Sequence, residues 1–239
     1  MIDLEKAGEL ADRLLGLIYP DPIYCICCGN IIDETRTYGL CDHCIRHIMW
    51  DTAPPGRIGD EEAGHEGSGD EESMEAMRCC QYGIYERTLI FSLKYNKKRY
   101  IARHIAEMMR DKLKNANRDR SYDIIVPVPL YKGKERKRGF NQTFLIGRYL
   151  GKELGIECIP DALIRVRETR AMRGLSPQER KENIRGCFAL NEECVEELRG
   201  KRVLLLDDFY TTGATAMECR GELIKAHPAS ISFFAFAAK

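Results

Sequence analysis

The spacing of apolar positions changes character along the chain. Leu4, Ala7, Ala11, Leu14, Leu15 and Ile18 recur at helical intervals and stop at Pro20, which predicts an amphipathic N-terminal helix. Residues 51–78 break the pattern, with Pro54, Pro55, glycines from Gly56 to Gly69 and repeated acids but hardly an apolar side chain. Such a stretch buries too little to offset its ordering entropy and is expected to be a mobile linker. From about residue 79 strands and helices are expected to alternate. "IFSLKY" (90–95) reads as a strand, and 101–113 reads as a helix with Ile101, Ile105, Met108, Met109 and Lys112 along one face. "YDIIVPVPL" (122–130) is a β-branched run of the kind buried in parallel sheets. A basic loop, "YKGKERKRG", then leads into a helix over 141–154. "SPQE" (176–179) has the Ser, Pro and Glu of a helix-opening capping box. "VLLLDD" is the next strand, a helix runs from Thr215 to about Ala226, and "SISFFAFAA" is the last strand. This alternation predicts an α/β domain with a mostly parallel sheet flanked by helices. No internal repeat is present.

Charge and composition narrow the picture. The chain has 239 residues, 44% of them hydrophobic, which is enough for a real core. Lys plus Arg (37) balance Asp plus Glu (37), so no global charge drives it onto nucleic acid or membrane, although local patches still could. The start, MIDLEKAGEL, lacks the basic and apolar regions of a secretory signal, and "ISFFAFAA" is too short to span a bilayer. A cytoplasmic location without membrane insertion is expected. In that setting, eleven cysteines point to metal ligation and buried thiols rather than a disulfide framework.

Four of those cysteines form two CxxC pairs, Cys25 with Cys28 and Cys41 with Cys44, a dozen residues apart. This is zinc-ribbon spacing, in which two knuckles close a tetrahedral thiolate shell with no open position for chemistry. Zinc would then supply folding energy to a module too small for its own core. Cys27, His43 and His47 are alternative ligands that the spacing leaves open.

"VLLLDDFYTTGAT" (203–215) is the other unusual stretch. Core strands do not end in adjacent carboxylates for packing reasons, because each would need a partner or a raised pKa. Backbone N–H groups of Thr211, Thr212, Gly213, Ala214 and Thr215 can form an anion nest at the start of the following helix. Asp207 and Asp208 would repel phosphate but suit ribose hydroxyls, or a positive centre. A ribose 5-phosphate combines the two demands. Lys94 at the end of its segment has two readings, a lysine that reaches this site and the commoner snorkelling lysine.

This stretch resembles the PRPP-binding signature of type I phosphoribosyltransferases. With the CxxC pairs, "LIFSLKY", "IIVPVPL", "RGFNQ" (138–142) and "RETRAMRGLSPQERKENIRGCF", the layout resembles the ComF family, in which a zinc ribbon precedes a phosphoribosyltransferase domain. The resemblance implies an N-terminal helix and zinc ribbon over 1–50, an acidic Gly/Pro-rich linker over 51–78 and a type I phosphoribosyltransferase-like domain over 79–239. It implies that Asp207 and Asp208 hold the ribose 2- and 3-hydroxyls while 211–215 hold the 5-phosphate. Lys132, Arg136, Arg138 and Gly139, with Lys134 and Lys137, fall at the pyrophosphate loop, where Mg²⁺ accompanies the leaving group. Arg165 and Arg173 fall in the segment around 165–185, which corresponds to a flexible hood over the site. Two positions depart from the family pattern. Thr211 stands where purine-specific relatives carry an acid, and Met172 stands where glutamine is usual, so the acceptor is not specified. Three functions follow as expectations: phosphoribosyl transfer from PRPP, a PRPP or nucleotide sensor without chemistry, and handling of single-stranded DNA. Partners are then PRPP or a related ligand, single-stranded DNA and DNA-uptake helicase machinery.

Overall fold

Hydrophobic runs that are buried on both sides organise this chain around one sheet. The computed structural model describes residues 23–33, 35–59, 73–96, 98–170, 174 and 176–239. The expected N-terminal helix, Met172, Arg173 and residues 60–72 lie outside them. The chain divides into two units, Met1–Ile48 and Met49–Lys239. The first contains helix α1 (Asp42–His47). The second runs β1 (Gly56–Ile58), β2 (Met74–Gln81), α2 (Ile84–Tyr95), α3 (Ile101–Asn115), β3 (Ile124–Pro127), α4 (Lys132–Arg138), α5 (Gln142–Leu154), β4 (Glu157–Cys158), β5 (Leu163–Arg165), α6 (Pro177–Ile184), β6 (Phe188–Leu190), α7 (Val195–Leu198), β7 (Arg202–Tyr210), α8 (Ala214–Leu223) and β8 (Ser230–Ala238).

The main sheet has the order β1-β2-β8-β7-β3-β4, and only the β1–β2 pair is antiparallel. The α/β class with a mostly parallel sheet is therefore as the alternation implies. Strands β3, β7 and β8 occupy the centre, and the period of two divides their side chains between the faces. Ile124, Val126, Val203, Leu205, Phe233 and Ala235 join one core with Ala216, Cys219 and Leu223 of α8 and with Leu163 and Phe188 of the antiparallel β5–β6 pair. Ile125 and Leu206 face the other way, against α5. A Cβ on Gly147 would come within 3.4 Å of Ile125 and 3.2 Å of Leu206, and one on Gly151 within 2.6 Å of the Ile156 carbonyl. Glycine at both positions lets α5 approach the sheet closely. Each leucine of the fully buried 204–206 run contributes about 1.5–3 kcal/mol through burial.

Three local expectations are corrected. Residues 90–95 are the second half of α2 rather than a strand. Leu89, Ile90 and Leu93 sit on its buried side, and the Glu86 carboxylate accepts from the Gly83 N–H at 3.0 Å, closing the helix start. Aromatic and β-branched content suggested a strand, but helical burial prevails. The basic loop is helix α4, built of good helix formers and stopped by Gly139 at φ 85°. The stretch 51–78 supplies β1 and the first half of β2. Asp51 pairs there with Arg78, while the Lys112 ammonium donates to the Asp51 carbonyl at 2.6 Å and the Ala53 carbonyl at 3.2 Å. The Ser176 capping box stands as expected, with the Glu179 carboxylate accepting from the Ser176 N–H at 2.7 Å.

Candidate functional site

In the first unit the four expected cysteines converge. Cys25, Cys28, Cys41 and Cys44 place their sulfurs within 4.8 Å of one another, with Cys28 and Cys41 3.6 Å apart. Tetrahedral zinc at an S distance of about 2.3 Å sets sulfurs about 3.8 Å apart, so this set could hold a zinc ion. The knuckles are built by the backbone. The Gly29 N–H donates to the Cys25 carbonyl at 2.9 Å, with Gly29 at φ 79°, and the Ile26 N–H reaches the Gly39 carbonyl at 3.0 Å. The Cys44 N–H points at the Cys41 sulfur, which caps α1. Burial pushes the Cys25 thiol up, but hydrogen bonds from the Cys28, Cys41 and Cys27 backbones outweigh it and bring the pKa to about 7. His47 directs Nδ1 to the His43 carbonyl at 2.7 Å, and Cys27 is pushed up to about 11, chiefly by burial.

In the second unit the acids lie inside a strand, not at its end. Strand β7 continues to Tyr210, and Asp207 is in register with Ala235 of β8. Alternation therefore sends the two carboxylates to opposite faces. Asp208 turns toward α2, where Lys94 Nζ lies 2.6 Å from its Oδ2. Both partners are largely buried, so this lysine belongs to the site rather than to a solvated surface. Asp207 turns toward the core of Cys219 and the hood. Burial above all, then the charge of Asp208, pushes its pKa up to about 8 against the lowering influence of Lys94. One of its oxygens accepts from the Asp208 N–H at 2.8 Å. Cys219 is pushed well up by its burial, with the Asp207 charge a further cause. Burial pulls the Arg165 guanidinium down, with Asp207 among the charges that oppose this.

After Tyr210 the chain bends through 211–213 into α8. Gly213 stands at φ 76° as the N-cap and contributes no capping side chain, so the first-turn amides of α8 have no intrahelical acceptor. A Cβ on Gly213 would lie 3.3 Å from Ile58 Cδ1, so β1 covers one side of the turn. From the hood, Arg180 Nη1 donates to Thr211 Oγ1 at 3.0 Å. The hood is anchored on α8, where Glu218 accepts from the Gly186 N–H and Glu222 accepts from the Leu190 N–H at 3.2 Å. Arg165 lies in β5, donating to Thr169 Oγ1 at 2.7 Å with its guanidinium 5.3 Å from the Phe188 ring centroid. Lys132, Arg136 and Arg138 ride on α4, and Arg138 hydrogen-bonds Gln142 of α5.

The structure thus brings Asp207, Asp208 and 211–215 together and adds Ile58 and Arg180. Lys94, for which the sequence left a snorkelling and a site-reaching role open, takes the second. Arg180 and Ile58 have no comparable sequence signal.

This chain is 30% identical over 195 residues to competence protein F of Haemophilus influenzae, a match spanning 80% of this chain and 81% of that protein. It belongs to the competence protein F family. Another relative of this ComF chain is the DNA utilization protein YhgH of Escherichia coli K12, 30% identical over 146 residues. Competence protein ComFC of Bacillus subtilis is 32% identical over 117 residues. These matches span 63% and 42% of those two relatives and 60% and 46% of the ComF chain. No family model matches. Among solved structures, adenine phosphoribosyltransferase from Saccharomyces cerevisiae is 15% identical, with a TM-score of 0.38, over 60% of this chain and 72% of that one. An allosteric regulatory enzyme of purine biosynthesis is 17% identical, also at 0.38, over 56% and 25%. No helix among the described residues is long and apolar enough to cross a membrane.

Proposed function

We propose that the second unit binds a phosphoribosyl ligand, PRPP or a relative of it, at the C-terminal end of β7. The observation that carries this reading is one continuous segment: adjacent acids inside the strand, then a turn at Gly213 that opens onto uncapped amides of α8. Ligands of open α/β sheets sit beyond the carboxyl ends of strands, and a helix start favours an anion. The 5-phosphate takes the amides after Gly213 and the threonine hydroxyls of 211, 212 and 215. The ribose hydroxyls donate to the Asp208 carboxylate as Lys94 yields or shares it, and Asp207, buried on the opposite face, becomes an acceptor only where the strand end opens toward the ligand. Lys132, Arg136 and Arg138 of α4, ending at Gly139, neutralise the pyrophosphate. Mg²⁺ would accompany the pyrophosphate and share its charge.

In the catalytic form of this reading, an acceptor nucleophile bonds to ribose C1 as the C1–O bond to pyrophosphate breaks, and the electron pair leaves with pyrophosphate. Positive charge builds on the ribose, beside the Asp208 carboxylate. The hood, through Arg165, Arg173 and the Arg180 contact to Thr211, limits water. No acid in 211–215 is available as a base toward the acceptor, which favours an acceptor that is already nucleophilic or a sensor that only binds. The names of the relatives support a role in DNA handling during competence. A zinc-bound first unit serves as a structural module.

Thermal melting with PRPP and Mg²⁺ tests the reading. Wild type should gain stability with ligand, and Asp207→Asn/Asp208→Asn should not. An equal shift in both proteins, or none in wild type, overturns it. Pyrophosphate release over a panel of acceptors separates transfer from sensing.

A further inference from the structure

A second feature lies on the outer face of α2 and makes no use of the acid pair. Ile84, Arg87, Phe91 and Tyr95 follow one another at helical offsets along a single stripe, opposite the buried Leu89, Ile90 and Leu93. Phe91 is 45% exposed and Tyr95 62%, although burying either ring would be favourable. Their centroids lie 5.1 Å apart with the planes tilted by 47°. The Arg87 guanidinium stands 5.1 Å from the Phe91 ring centroid, and that of Arg138 stands 5.5 Å from the Tyr95 centroid. The order in space is cation, ring, ring, cation. Arg138 ends α4, which has no buried residue and carries Lys132, Lys134, Arg136 and Lys137 beside it against the lone acid Glu135. Just beyond, Arg99 lies 4.7 Å from the Phe140 ring centroid and donates to the Gly139 carbonyl at 3.0 Å. Among the described residues, Arg87, Arg99 and Arg138 form no ion pair with a carboxylate, so their charge stays available to an anionic partner.

We propose that this ladder is a docking surface for single-stranded nucleic acid. Bases stack on Phe91 and Tyr95, while phosphates meet Arg87, Arg138 and the cations of α4. Exposed rings accept any unstacked base because every base has a π face, and flanking cations supply the attraction to the backbone. A duplex keeps its bases stacked and offers the rings nothing, which sets this surface apart from a merely basic one. An acidic protein partner could also bury two rings beside arginines, but the alternation of rings with cations on either side matches the alternation of bases and phosphates in a single strand. The proposal rests on the DNA-handling reading and gives it a surface; it is separate from the phosphoribosyl reading and shares only the α4 cations with it.

Fluorescence anisotropy with a labelled oligothymidylate of about 15 nucleotides is the test. Wild type is expected to bind at low salt and to prefer the single strand over a duplex of equal length. Phe91→Ala/Tyr95→Ala is expected to weaken binding about tenfold or more. Arg87→Gln is expected to flatten the dependence of log affinity on log salt by about 0.7. Phe91→Leu/Tyr95→Leu keeps apolar volume without the π faces, and it should lose affinity as well if stacking is the cause. Unchanged melting temperature and PRPP response in the ring variants would tie the loss to the ladder and not to folding or the other site. Absent binding by wild type, equal binding of duplex, or ring variants that bind as wild type does would overturn the proposal.

Discussion

Lys94→Met is the most direct perturbation of the acid pair. The Nζ–Oδ2 distance is 2.6 Å, with side-chain exposures of 19% for Lys94 and 5% for Asp208. At an effective dielectric of about 20 the direct attraction is roughly 6 kcal/mol, most of it offset by the cost of taking two charges out of water. Removing one partner is different, because Asp208 stays buried without its cation; that costs about 3 kcal/mol. The loss should appear as a melting temperature about 6–12 °C lower. Trp50 is the only tryptophan and bridges to Cys80 in the second unit, so its fluorescence in urea follows that unit. Asp207 sets the pH dependence. Its folded pKa, raised to about 8 from an ordinary 3.8, means that the stability given by its neutral form is complete below about pH 4 and is lost as pH rises toward about 8. Lys94 opposes that rise in pKa, so without it the window extends to higher pH, and the deficit against wild type is level below about pH 8 and widens above it. Asp208→Asn in the Lys94→Met background should recover much of the loss, giving a coupling above about 1 kcal/mol. A deficit below about 1 kcal/mol near pH 8, or one that shrinks with rising pH, would refute the reasoning.

Gly213→Ala forces a methyl into φ 76° and against Ile58, so it should cost about 1–2 kcal/mol and weaken PRPP binding; an unchanged melt with intact binding would count against the turn. Cys41→Ser should abolish stoichiometric zinc in metal analysis, and full retention would show that another residue, such as Cys27 or His43, takes its place. Ser176→Ala removes the side-chain acceptor of the Glu179 N–H and should loosen α6 by about 1 kcal/mol, read as faster hydrogen exchange there with little change in the global melt. Arg180→Ala frees Thr211 from the hood and should increase protease cleavage of the hood in the absence of PRPP; protection equal to wild type would mean that the Glu218 and Glu222 anchors alone hold it.

What the sequence disclosed was what has a local cause. Strands β3, β7 and β8 are continuous apolar runs, and the Ser176 box and the cysteine knuckles carry their geometry in adjacent residues. Strand β2, "MEAMRCCQ", is composed largely of good helix formers and is a strand because β8 pairs with it from Glu75 to Gln81. Strand β1 has three residues and exists only as a partner of β2. Neither could be read locally. In α2 two of the residues that suggested a strand, Phe91 and Tyr95, form the exposed stripe, whereas the β-branched Ile90 is buried on the opposite face.

The acid pair shows where local reading can be extended. Ending the strand at Asp208 made both carboxylates look like a single pair facing one ligand. Two further residues of ladder, to Tyr210, place both acids within the pleat, and the period of two then assigns them different surroundings. Asp208 acquires Lys94, whereas Asp207 acquires a dry core that favours its neutral form. Adjacent acids that are chemically identical in sequence thereby become unlike in the fold. A ligand that donates hydrogen bonds to both would meet one acceptor backed by the Lys94 ammonium and one carboxyl whose protonation is tied to its own arrival. PRPP affinity should accordingly change with pH around about 8, a change that Asp207→Asn removes and that Asp208→Asn, by taking away a charge that helps raise the Asp207 pKa, moves to lower pH.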